Sequence, residues 1–200
     1  MNQPSRSVAA ENPFSASRLR PGAMPYLFAE GEDARQFVER LRDLGWWAAI
    51  VGPHGSGKSA LLAALVPQIE KVPRQVVLVE LHDGQRRMPL DLARELPGDT
   101  AGVLVVDGFE QLGFFSRFRV KRICRRRRWG LLVTAHEPVG LAPLCRTDVD
   151  LDVAQRIVQR LQRGYPPLVT AEDVAERFSR QAGNVREVLF DLYDLYERRR

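Results

Sequence analysis

Residues 52–59 read Gly-Pro-His-Gly-Ser-Gly-Lys-Ser, and that spacing, G-x-x-x-x-G-K-S, is suited to cradling phosphate. Gly52, Gly55 and Gly57 let the backbone turn tightly and bring N–H groups against phosphate oxygens where a Cβ would clash. Pro53, His54 and Ser56 fill the loop between them, and Ala60 adds an N–H at the start of the following helix. Lys58 is placed to reach β- and γ-phosphates, and the Ser59 hydroxyl to ligate Mg²⁺. A chance glycine turn would also match the spacing. The flanks argue against it, because Trp46–Val51 is short and apolar like a buried strand and Ala60–Leu65 is a strong helix former. The chemistry implied is binding of a nucleoside triphosphate with Mg²⁺.

A second run, Val103-Leu104-Val105-Val106-Asp107, is an apolar strand ending in a carboxylate. Asp107 is the candidate to hold Mg²⁺ opposite Ser59; a simple cap for the next helix is the plainer reading. Gly108 follows, and Glu110 is the nearest carboxylate that could serve as general base toward a water. The same glutamate could instead be a solvated residue favourable to a helix start. Thr134-Ala135-His136 closes a further apolar run. Thr134 is the first candidate to orient an attacking water and His136 the second, against an ordinary strand end.

These residues need a scaffold. Apolar runs at 76–81, 102–107 and 130–134 alternate with helical stretches, including roughly 111–128, which predicts a parallel sheet covered on both faces. The run Val76–Leu81 reads as a strand buried on both sides. Leu144–Thr147 supplies a short fifth strand. An earlier helix spans about Glu32–Leu44, with Phe37, Val38, Leu41 and Leu44 on one face, and Pro67 is expected to limit the helix after the phosphate loop. From about 150 the pattern is helix alone. Leu151, Ala154, Ile157, Val158 and Leu161 share one face; Thr170–Asp173 is a capping signature leading into Val174 and Phe178; Val185, Val188, Leu189, Leu192 and Leu195 mark a last amphipathic helix. The expected organisation is an N-terminal arm over 1–30, partly disordered in its first dozen residues and extended where Asn12–Phe14 and Arg20–Phe28 carry apolar anchors, then a core over 31–149 and a helical unit over 150–200.

Taken together the motifs resemble the AAA+ branch of the P-loop NTPases over roughly residues 24–200. The resemblance implies an α/β fold: a parallel-sheet P-loop NTPase core sandwiched by helices, with a small C-terminal helical lid. It implies ATP as the nucleotide and hydrolysis coupled to a partner, DNA or self-assembly. Gly183-Asn184-Val185-Arg186 looks like the element that presents a lid arginine, sensor 2, to the γ-phosphate, so Arg186 takes that role, against plain surface charge. Pro25, Tyr26 and Leu27 would line the adenine pocket or serve as core anchors. The spacing of Glu110 from Asp107 departs from the family pattern, in which the glutamate follows the aspartate directly. For an arginine finger from a neighbouring subunit, Arg146 is the first candidate and Arg125–Arg128 the next. Two other readings remain: a nucleotide-dependent switch or DNA-binding module with little turnover, and a small P-loop kinase.

Charge and cysteine usage bound the setting. Of 200 residues, 44% are hydrophobic, and the formal net charge is +5. Lys121–Arg128 holds six basic residues in eight positions. Val120, Ile123 and Cys124 can turn inward at helical spacing and leave a solvated basic face; binding of nucleic-acid phosphates and a partner or subunit contact are the other readings. No apolar run is long enough to span a bilayer. Cys124 and Cys145 have neither C-x-x-C nor zinc spacing and read as buried, reduced thiols of a cytoplasmic protein.

Overall fold

A computed structural model describes residues 12–19, 26–89, 91–98 and 100–200. Five parallel strands form one sheet, β1 (Trp47–Val51), β2 (Gln75–Glu80), β3 (Gly102–Asp107), β4 (Gly130–Ala135) and β5 (Ala142–Arg146), in the order β2-β3-β4-β1-β5. Strand β4, which carries Thr134, thus lies between the phosphate-loop strand β1 and β3, which ends in Asp107.

Side chains alternate along each strand, so the sheet carries one core on each face. Ala49, Val51, Leu104, Val106, Leu131 and Val133 point toward Phe109, Leu112, Val120, Cys124 and Trp129. Ala48, Ile50, Val103, Val105 and Leu132 point toward α1 (Ala34–Asp43) and α2 (Lys58–Ile69), through Phe37, Leu41, Leu61, Leu65 and Ile69. On the other face lie the single-turn α3 (Leu92–Glu95) and α4 (Phe114–Arg127). Trp129 closes this layer: its indole donates to Pro97 O at 2.9 Å and its ring covers Gly102, where a Cβ would stand only 2.5 Å from it.

Several expectations are corrected. Val76–Leu81 is not buried on both faces, because β2 is an edge strand and Leu78 is 46% exposed. Pro67 does not end α2; it sits in the last turn, forgoes the hydrogen bond to the carbonyl four residues back, and the helix runs on to Ile69. Leu44 caps α1 and is exposed, not part of its buried face. The stretch expected to be helical from 111 is broken: Phe109–Gln111 is a short 3-10 turn, and α4 begins only at Phe114, after Gly113. Cys145 is half-buried while Cys124 is fully buried; both are free thiols.

The C-terminal helices α5 (Leu151–Leu161), α6 (Ala171–Arg180) and α7 (Val185–Arg199) pack on their own hydrophobic cluster, which includes every apolar position anticipated for α7. The Thr170/Asp173 capping box is formed. Phe14 belongs to this cluster. It is fully buried and meets Tyr196 edge-on at 5.9 Å, while Asn12 Nδ2 donates to Tyr193 O and Glu197 Oε1. Residues 12–19 are a series of turns and not the extended arm expected. The disorder expected of the first dozen residues falls on 1–11, apart from Asn12, and those eleven, with the anchors over 20–25, lie outside the described residues. Among the described residues no helix is long and apolar enough to cross a membrane.

Candidate functional site

A cavity of about 610 Å³ opens at the C-terminal ends of the strands, the end at which open parallel sheets gather ligands. Its walls include His54–Ala60, Glu80–Asp83, Asp107, Gly108, Glu110, Thr134, His136 and Arg186. These walls come from five separate segments of the chain.

The phosphate loop has the backbone its glycines require, with Gly55 at φ 71° and Gly57 at φ 88°. Gly57 precedes α2 without any side-chain cap, so the first N–H groups of the helix, from Lys58 to Ala60, remain free for an anion. Gly52 hydrogen-bonds Ala135 O across to β4, and its α-carbon lies tight against Thr147. Ser56 and Thr147 share a 2.6 Å hydrogen bond between buried hydroxyls. Pro53 contributes its carbonyl. Lys58 Nζ donates to Gly52 O at 2.7 Å and Pro53 O at 2.6 Å, folding the ammonium back over its own loop. Burial lowers the Lys58 pKa from its ordinary value, and the carboxylates of Glu110 and Asp107 oppose that shift.

Asp107 ends β3 in register with Glu80 at the end of β2. Its Oδ1 accepts from the Thr134 hydroxyl at 2.5 Å, and that hydroxyl in turn accepts from Gly108 N–H at 2.8 Å. Thr134 is fully buried, so its hydroxyl is engaged in aiming Asp107. His136 is the group that reaches Glu110: Nε2 lies 3.2 Å from Oε1. The second oxygen, Oε2, is buried with no hydrogen-bond partner among the described residues. On its other side the His136 ring stacks at 3.6 Å on His54 of the phosphate loop, tilted by 54°. Burial lowers the His136 pKa, helped by Lys58 and His54 and opposed by Glu110 and Glu137.

The residues present fit a nucleotide and its metal. Asp107 and Ser59 face one cavity, Asp107 Oδ2 and the Ser59 hydroxyl have no partner among the described residues, and the orphaned Glu110 oxygen marks a place for a polar ligand or water. The helical unit closes the site from above. Asn184 caps α7 and presses on Gly55, so that a Cβ there would run into Asn184 Oδ1, and Arg186 in the first turn of α7 lines the cavity. Tyr26 stands beside Gly57 and packs edge-on with Phe28, burial pushing its hydroxyl up to about 12; Leu27 is half-buried, and Pro25 lies outside the described residues. Neither Arg146 nor Arg125–Arg128 lines the cavity.

Sequence reasoning passed over Glu80, Asp83 and Leu19, all lining the site, and the pairing of His54 with His136. Glu80 had a signal, a carboxylate ending an apolar strand as Asp107 does. The others are brought in by packing between distant segments, which leaves no local pattern.

No protein-family model matches the chain, and no curated protein matches it. Among solved structures, a Walker-type ATPase of Pyrococcus abyssi is similar over 88% of this chain and 69% of its own, with a TM-score of 0.57 and 13% sequence identity. At that identity the likeness is one of fold. The chain is an α/β protein with the parallel-sheet architecture of a Walker-type ATPase.

Proposed function

We propose that this chain is an ATP-binding, Mg²⁺-dependent ATP hydrolase of AAA+-like type, coupling its nucleotide state to a partner, DNA or self-assembly in the cytoplasm. The observation that carries the reading is the convergence of the Gly52–Ser59 loop, Asp107, Glu110 and Arg186 on a single cavity. In this reading the loop amides and Lys58 hold the phosphates, Ser59 and Asp107 hold the metal, and Thr134 holds Asp107. The chemistry Mg²⁺ would supply there is positive charge that offsets charge developing on the phosphates. Glu110 accepts a proton from water, and Arg186 links the γ-phosphate to residues 150–200, which act as the lid. A finger supplied in trans, from Arg146 or from Arg125–Arg128, would give a homo-oligomer about 10³–10⁵ in rate over the lone chain.

ATP turnover with Mg²⁺ tests this, with Lys58→Ala as the blank. Glu110→Gln is expected to keep ATP binding and lower turnover by about 10²–10⁴. Unchanged basal turnover in that variant would remove Glu110 from the chemistry. A nucleotide switch of low turnover has its own support, the engagement of Glu110 by His136 and of Lys58 by loop carbonyls; ATP binding without turnover at any protein concentration would favour it.

A further inference from the structure

Helix α4 carries seven basic residues and no acidic one, so the chain's net charge of +5 becomes −2 when that helix is set aside. Three of the seven are tied down: Arg117 donates to Glu110 O and Leu112 O, Lys121 to Val139 O and Arg127 to Ala93 O. Arg119, Arg122 and Arg126 have no carboxylate partner among the described residues. Phe115, Arg119, Arg122 and Arg126 recur at i, i+4, i+7 and i+11, with Phe118 beside them, on the side of α4 opposite the buried Val120 and Cys124. Phe114, Phe115 and Phe118 are 78, 84 and 60% exposed, and none of them lines either cavity at the strand ends. Folding explains neither the rings nor the free arginines.

The stripe therefore wants a polyanion that also offers flat apolar faces. An acidic protein segment would need a pocket to anchor its apolar side chains, and these rings protrude from a convex helix. Unpaired bases need only an exposed ring to stack on, and every base has one. Guanidinium groups fork onto phosphate oxygens. A duplex hides its base faces and would use the arginines alone. We propose that this face of α4 binds single-stranded nucleic acid, bases stacking on Phe115 and Phe118 and phosphates pairing with Arg119, Arg122 and Arg126. Because Arg117 joins the same helix to the backbone of Glu110, occupancy of the face acts on the segment that holds that carboxylate. That coupling rests on the hydrolase reading; the binding does not.

The test is fluorescence anisotropy of labelled oligothymidylate and oligouridylate of about twenty nucleotides, beside a duplex of the same length, across a salt series without nucleotide. Wild type is expected to bind the single strands more tightly than the duplex. F115A/F118A should weaken single-strand binding about tenfold or more with little change in salt slope, and R122A/R126A should lower that slope by about 1.4. All altered side chains are exposed, and an unchanged thermal melt confirms the fold of each variant. Duplex bound as tightly as single strand, single-strand binding indifferent to F115A/F118A, or no binding at all would overturn the proposal. So would capture by polyglutamate, or by vesicles of equal parts phosphatidylserine and phosphatidylcholine, at affinities equal to the oligonucleotides. Wild type that binds oligonucleotide through Phe115 and Phe118 yet shows no ATP turnover at any protein concentration would reject the hydrolase reading and leave this one standing.

Discussion

Glu110 presents one oxygen to His136 and buries the other without a partner among the described residues. An arrangement of this kind leaves a desolvated acceptor worth about 1–3 kcal/mol, which a ligand or water at the site would recover. His136 adds a pH dependence. Its folded pKa lies below its ordinary value, so on acidification the unfolded chain takes up the proton first and the folded state loses stability as pH falls below about 6.5. Glu110, Glu137, Lys58 and His54 face the ring and set the size of the effect. Melting between about pH 7 and 5.5 should fall more steeply in wild type than in His136→Gln. Thr134→Val keeps the side-chain shape but strips both Asp107 and Gly108 N–H of their partner. A loss of about 1–3 kcal/mol in denaturant unfolding is expected, with a higher Mg²⁺ requirement for ATP binding, and Thr134→Ser should restore both. The phosphate-loop residues were legible because they are contiguous and their spacing is itself the chemistry. The engagement of Glu110 by His136 was not, since twenty-six positions separate the two and only the sheet order brings them together.

Strands β1, β3 and β4 were readable as unbroken apolar runs, and such runs arise when both faces of a strand are covered. The same logic failed for β2. An apolar run reports the chemistry of a segment and not whether another strand flanks it, and Leu78 is left exposed at the sheet edge. Pro67 misled for a related reason: a proline in a last helical turn forgoes one hydrogen bond without stopping the chain. At this scale the contact between α7 and the phosphate loop is the most constrained. Gly55→Ala puts a methyl group into Asn184 on a backbone that already demands positive φ. Nucleotide binding measured calorimetrically should be lost, while the sheet core melts near its wild-type temperature. Gly84→Ala, at a positive φ in open space, supplies the control for backbone strain alone.

Across the whole molecule, three hydrophobic clusters divide the chain into a two-faced sheet and a helical bundle, and Phe14 is the bundle's outside contribution. Phe14→Ala should cost about 3–5 kcal/mol in the stability of the helical unit, read as faster hydrogen exchange in α7 with little change in β3 and β4. Both thiols should resist disulfide reagents in the folded protein, because burial pushes Cys124 up to about 12 and Cys145 up to about 11. Those raised values mean stability held in full below about pH 9 and drained as the pH climbs through the folded values, since the unfolded chain releases its protons first. The helical unit, finally, is joined to the sheet by the chain running from β5 into α5, and Leu19, which lines the cavity, packs on its hydrophobic cluster. Because Asn184 presses on Gly55 and Arg186 lines the cavity, the bundle is also a wall of the site, and whatever fills that space fastens sheet and bundle to one another.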